Sequence, residues 1–553
     1  MRASWTVLLG AGLALGCGGQ KRQAVAPADS VANAQTPQQP AMTADALPNP
    51  NDLDAELRPF VEQLRSEDPE ARREGAEALH RLSERDDGRL VLAATAYLLV
   101  ALGDEDKMVR ENASWALANG GPQSLPAVQA ELADENPLVR DGAAHAIGWM
   151  VERGLPAEAA LRMRLKDPVP AVRGRVIWAL SQIGGCRTDT VHSLVALLDS
   201  DTATDRAAAL HALGDLNFYT QENHDKDAEA AIRSAVPKAR TLLQHEAVDV
   251  RWCAHYFLNE LGLPPDERIP LLVVGLQDDS ERVASYVARQ LKELAPTTDL
   301  AVAVPGLCRV VQQDSRASVE ACEVLRDIGP DAKDALPALL KALDSDPTVA
   351  VKAAEALWTT NRHTEKSLPV LRQALQMPHP SPAACDAVCV LGPAAASLLP
   401  DLLQAMACEA FEVKWAASDA IAAVASSELP TIRTLTSALG HENETIRDTA
   451  EETLLDIGKT AAPHLLHAVV HQDKGRSAIA TLLAIWTDDD REIADQMVKL
   501  LEHPNRDVRV RCAIGLAMYS ERQEAGPVLR KELKHAESEQ ERAEIEAALE
   551  GRG

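Results

Sequence analysis

Eight prolines, Pro237, Pro270, Pro305, Pro337, Pro369, Pro400, Pro430 and Pro463, recur every 30 to 35 residues, and each opens an apolar run. No other feature limits the fold more, because a fixed period of this length marks stacked units that bury their apolar faces on one another. Proline has its φ set near the helical value and lacks an N–H, so it suits the first helical turn, where that donor has no partner. Each proline therefore predicts the start of a helix.

A second phrase recurs between the prolines: Val-Arg, two spacers, Ala, two spacers, Ala-Leu, two spacers, Ile-Gly. It is clearest at Val109-Arg110, Val139-Arg140, Val172-Arg173, Val250-Arg251, Val413-Lys414, Ile446-Arg447 and Val508-Arg509. In the third copy Val172, Val176, Ala179, Leu180 and Ile183 form one stripe of a helix. Alanines in that stripe let a neighbouring helix approach closely, and Gly184 stands where a left-handed helix cap is wanted. One unit is thus a pair of helices. The period, the phrase and the Asp-Pro steps Asp68-Pro69, Asp167-Pro168 and Asp346-Pro347 resemble HEAT repeats. The resemblance implies an all-α right-handed superhelix of about fourteen helical hairpins over residues 51–536, and a family that is chiefly scaffolding. Register is weakest at Pro380 to Val388 and Gly475 to Trp486. Residues 537–553, highly charged, read as a capping helix that closes the stack.

The N-terminus is a different object. Residues 1–16 carry Arg2 and an apolar run from Trp5 to Leu15, too short to span a bilayer, which is the pattern of an export signal. Leu13-Ala14-Leu15-Gly16-Cys17 resembles a bacterial lipobox, although Ala14 stands where Leu is commonest. That resemblance implies lipid attachment at Cys17 and a cell-envelope location, at the outer membrane by virtue of Gly18. Residues 17–50, rich in Ala, Gln and Pro, lack the large apolar side chains of a core and read as a flexible tether.

The chain carries a formal charge of -27, and no basic cluster with interleaved aromatics, so nucleic acid is not an expected partner. Cofactor and metal are not expected either. Cys385 and Cys389 lie four apart, but the nearest imidazole, His379, falls in a turn and no fourth ligand is evident. The remaining cysteines read as buried thiols. His245-Glu246 and His441-Glu442 bear on deoxyhypusine hydroxylase, a HEAT-type enzyme with His-Glu pairs inside its second helices; here they precede Val250 and Ile446 by five residues and fall in turns. Phycobilin lyases share the repeat type and nothing else. Asn223, Asp225 and Asp227 imitate the start of a calcium loop but lack its glycine and distal Glu, and read as a solvated insertion with Phe218-Tyr219 at its tip.

Counting from the Val slot, offset 6 lies about 240° round the helix, away from the apolar stripe, and is expected to face solvent. That column reads Trp115, His145, Trp178, His211, Tyr256, Arg289, Glu323, Glu355, Asp386, Asp419 and Glu452, with Trp252, Trp415 and Trp358 pointing the same general way. By resemblance to HEAT arrays it lines the concave surface. Exposed Trp and Tyr would anchor a protein or peptide partner, and the five acidic residues, repelling one another, would hold its basic segments. The expectation is a membrane-tethered scaffold with no catalytic residue. The rivals are an enzyme using His145 and His211 with a metal or chromophore, and a purely structural envelope component.

Overall fold

In a computed structural model the chain is described over residues 47–550, apart from 86–89, 185–187, 224, 296, 314, 426–427, 472–474, 486–490 and 520–523. Residues 1–46, with the signal, Cys17 and most of the tether, lie outside the described residues, as do Cys186 and Trp486. The described chain is all-helical, with 31 α-helices, short 3-10 turns and no strand.

Helices alternate in role. Gly121–Glu131 is followed by Pro137–Trp149, and Glu158–Arg164 by Pro170–Gln182. From Pro69–Ser83 to Phe411–Val424 the second helices of successive units pack closely on one another, whereas most successive first helices meet at few positions; beyond it the packing thins, and Phe411–Val424 meets Glu444–Ile457 at few positions. The stack therefore curves with its second helices inside. Close approach is built into the sequence: a Cβ on Gly148 would lie 2.5 Å from the Trp178 ring, and one on Gly214 2.9 Å from the Tyr256 ring. Apolar residues form two continuous cores, Leu53 to Leu263 and Ile269 to Ala548, and Trp252 packs against both.

Six of the eight periodic prolines take the second position of a first helix. Pro369 is third in Ser367–Leu375, and Pro270 lies inside Pro265–Gly275, because Pro265 starts that helix more than a turn earlier. Asp68 and Asp346 cap their helices through the N–H groups of Glu70 and Thr348. Asp167 does not cap in that way: a second proline, Pro170, sets the helix start, with Val169 as its cap residue. Gly184 has the left-handed conformation expected of it, with φ +64.

The Val-Arg phrase has a structural meaning that the pattern alone does not reveal. Arg140 donates from Nη1 to the carbonyl oxygens of Asp134 and Glu135 in its own preceding turn. Its Nε and Nη2 donate to Asp167 of the next turn at 2.7 and 2.9 Å, with both side chains buried. The same double contact recurs at Arg72 with Asp104, Arg173 with Asp205, Arg251 with Asp278 and Arg509 with Glu532. This ladder stitches turn to turn. Burial alone would raise the Asp167 pKa; the Arg140 fork and the Val169 N–H outweigh it and hold the carboxyl below its usual range. His245, His441 and His503 replace Asp in this slot, and each accepts a backbone N–H on Nδ1, from Ala247, Asn443 and Asn505. Two of these belong to the His-Glu pairs, which are turn-forming groups here.

Two expectations change. The segment after Phe218 is not a loop: Ala203–Asn223 is one helix of 21 residues, Asp225 caps the added helix Lys226–Arg233, and Tyr219 lies against the Gly184 position. The tether boundary also moves, since Leu47 packs on the core and the Tyr97 hydroxyl donates to the Pro48 carbonyl. At the other end Glu539–Glu550 buries Ile545, and Glu541 accepts from Arg506 at 2.8 Å. Seven cysteines among the described residues are free; Cys253, Cys322, Cys385 and Cys512 are buried, and burial pushes each thiol up to about 12.

Candidate functional site

The column of offset-6 residues resolves into three different surfaces. In the first, inner helices Lys107–Asn119, Pro137–Trp149 and Pro170–Gln182 bring four rings together. His145 lies between Trp115 and Trp178, at centroid distances of 6.3 and 5.4 Å, and Trp149 meets all three rings within 6.2 Å. His80 of the preceding unit extends the row, 5.0 Å from Trp115. The Trp149 indole donates to His145 Nε2 at 2.8 Å, which fixes that nitrogen as an acceptor. His145 is buried, contrary to expectation, because the closely spaced next helix covers what an isolated helix would expose. Burial, then Arg175 and Lys107, pull its pKa down to about 3, so the imidazole is neutral at pH 7. Trp115 and Trp178 are half-buried, and Trp149 keeps 45% of its surface open.

The second surface belongs to Ala203–Asn223, Val248–Glu260 and Glu281–Leu294. His211 stacks on Tyr256 at 4.6 Å, Tyr256 on Trp252 at 5.7 Å, and Tyr286 meets Trp252 edge-on. Asp215 accepts the Tyr256 hydroxyl at 2.7 Å and lies 3.3 Å from His211 Nδ1. Burial first, then Asp215, raise the Tyr256 pKa. Arg282 covers the Trp252 ring at 4.5 Å. These rings join the two cores. His145 and His211 sit in separate ring groups, and among the described residues no three His, Cys, Asp or Glu side chains converge as metal ligands.

The acidic half of the column is not uniform. Glu355 is only 2% exposed and is paired with Arg326 at 2.8 Å and Lys352 at 3.3 Å. Glu323 is paired with Lys292 at 2.6 Å and Lys352 at 3.2 Å; burial pushes its pKa up, and these two lysines bring it below its usual range. The expected repulsion is absent here because cations of adjoining inner helices reach into the column. Trp358 is half-buried beneath Arg362, at 4.8 Å. Asp386, Asp419 and Glu452 remain exposed, and among the described residues no cation pairs with them. On the helix of Asp419, Phe411 and Trp415 are 69% and 64% exposed, with centroids 6.0 Å apart, and the Trp415 indole donates to Asp419 at 3.1 Å.

Reading the column by a single offset missed Trp149, His80 and Phe411. Trp149 stands four residues after His145, a helical neighbour by spacing, and that signal was available. The intramolecular cations were not legible, since they come from other helices.

A paired-helix stack with this inner face defines a HEAT-type solenoid. The HEAT-repeat family profile matches residues 57–148 and 125–214. Among solved structures, importin beta is similar in fold at a TM-score of 0.51 and 16% identity, over 89% of this chain and 72% of that one. Yeast importin-beta aligns at 0.46 and 13%, over 91% and 85% of the respective chains. At these identities the likeness concerns fold alone. No curated protein matches the chain.

Proposed function

We propose that this protein is a lipid-anchored scaffold of the bacterial cell envelope that holds a protein or peptide partner against its inner helices. The observation that carries the reading is Trp149. It is a large apolar side chain, nearly half open, backed by two half-buried tryptophans and a neutral histidine that fixes its indole by a hydrogen bond. Rigid, partly exposed tryptophan is the residue type that anchors protein partners, since its large apolar area is presented with little conformational entropy left to lose. The lipobox-like Cys17 supplies the anchor in this reading, and the length between it and Leu47 lets the solenoid stand off the bilayer.

The test is affinity capture from envelope extract by the mature chain beside Trp149→Glu, with circular dichroism showing that both are folded. Loss of the captured protein from the variant is expected. Identical captures would overturn the role of this face.

A further inference from the structure

The described tryptophans obey a pattern with one exception. Trp178, Trp252 and Trp358 each lie under an arginine of the chain itself, Arg175, Arg282 and Arg362, at 5.7, 4.5 and 4.8 Å. Trp115 and Trp149 are packed into the four-ring group. Trp415 has neither cover. It is the most exposed of them, and its neighbours are the equally open Phe411 and the carboxylate of Asp419, with the exposed Asp386 on the helix packed before it.

We infer that the Phe411–Trp415 face is a docking site for an arginine-bearing peptide segment of the partner. The guanidinium lies on the Trp415 ring and pairs with the open carboxylates, and an apolar neighbour rests on Phe411. The inference deepens the scaffold reading and rests on it. Three observations choose the occupant. The first is precedent within the molecule: among the described residues the three tryptophans that lie under a cation, Trp178, Trp252 and Trp358, each have arginine there. A planar, weakly hydrated guanidinium stacks on an indole while its edge donates to carboxylates. The second is charge: residues 381–460 hold twelve acidic and four basic side chains. The third is the contrast along the column, where Glu323 and Glu355 have received their cations and the next three acids have not. Lys414, the one cation on helix Phe411–Val424, stands in the slot of the ladder arginines.

The hydrogen bond from Trp415 to Asp419 keeps the indole edge tied down and leaves its face free. Asp386 and Asp419 stand at the same offset on the closely packed helices Pro382–Leu391 and Phe411–Val424, and both act on the Cys389 thiol beside them; Glu452 has that offset on Glu444–Ile457, which meets Phe411–Val424 at few positions. An extended peptide crossing Pro382–Leu391 and Phe411–Val424 meets a carboxylate on each, and one that continues past them reaches Glu452.

The test is titration of the full mature chain with a fluorescein-labelled Arg-Leu-Arg-Leu-Arg amide at about 0.15 M salt, where diffuse charge effects reach only about 8 Å. Binding is expected to weaken at least about fivefold in Trp415→Ala, as loss of a stacked cation implies, and further in Asp386→Asn/Asp419→Asn/Glu452→Gln. A charge-matched control at remote exposed sites, Glu62→Gln/Glu539→Gln/Glu546→Gln, is expected to bind as the parent does. Replacing the arginines by citrulline should abolish binding, and replacing them by lysine should weaken it. Equal affinity of parent and Trp415→Ala, or equal loss in the remote control, would overturn the site; a lysine peptide of undiminished affinity would overturn its assignment to a guanidinium. Trp415 is mostly exposed, so its removal leaves the core intact, and an unchanged thermal midpoint verifies this. The two readings fail separately. Absence of peptide binding alongside capture that depends on Trp149 removes this site alone, whereas peptide binding at Trp415 with no envelope partner captured removes the Trp149 reading.

Discussion

Arg140 and Asp167 show how much of this fold rests on single side chains. Their charges are taken out of water, and the two-pronged geometry compensates for that only while both partners are present. Asp167→Ala leaves a buried guanidinium with only its carbonyl contacts and is expected to lower unfolding stability by about 3 kcal/mol at pH 7. The folded-state pKa of Asp167 is depressed, so its contribution is complete above the unfolded carboxylate value of about 3.9 and is lost as pH falls below it. Urea unfolding of parent and variant should therefore differ widely at pH 7 and less at pH 3, the difference closing only as pH falls through the depressed folded-state value. A constant difference at both would mean that the loss is one of packing.

At the scale of the helix, several units end in a left-handed residue, and at two of these ends, Arg362 and Val151, that residue is not glycine. Gly184, Gly262, Gly329, Gly392 and Gly458 have positive φ, but the helix Pro137–Trp149 is followed by Val151 at φ +53. A β-branched side chain in that region is strained by ~1–2 kcal/mol. Val151→Gly is expected to raise stability by about 0.5–1 kcal/mol after the larger backbone entropy of an unfolded glycine is set against the relief. Gly184→Ala should lower it by about 1 kcal/mol, since the position has φ +64 and the Tyr219 ring is 3.3 Å from an added Cβ. Denaturation midpoints that move in the same direction for both variants would refute this account of the caps. The proline period was legible for a local reason, the missing N–H. Pro270 departs from it because Pro265 also carries a start signal.

For the whole molecule, stability grows by nearest-neighbour stacking, so a chain of this length needs no division into compact domains. The Trp252 ring group lies where the two apolar cores meet and joins them. The reading as an anchored scaffold makes a prediction of location. Cys17→Ala should move the protein from the membrane to the soluble fraction on cell fractionation, and persistent membrane association would mean that another segment holds it there. On that reading the charge of -27 suits a body held off an anionic surface.

The repeat period, the helical pairing, the glycine caps and the turn placement of His245 and His441 were determined by the sequence alone. Each depends on residues within one turn or one helix, where φ preferences and 3.6-residue spacing act directly. Only the tertiary structure decided which column residues meet solvent. At offset 6 an isolated helix exposes every residue alike, yet His145 and Glu355 are buried while Asp386 and Trp415 are open. The difference arises from what the adjoining helices bring: a tryptophan ring, an arginine, or nothing. Those contacts span about thirty residues of chain, a distance over which the spacing of apolar side chains carries no information about which polar group will arrive.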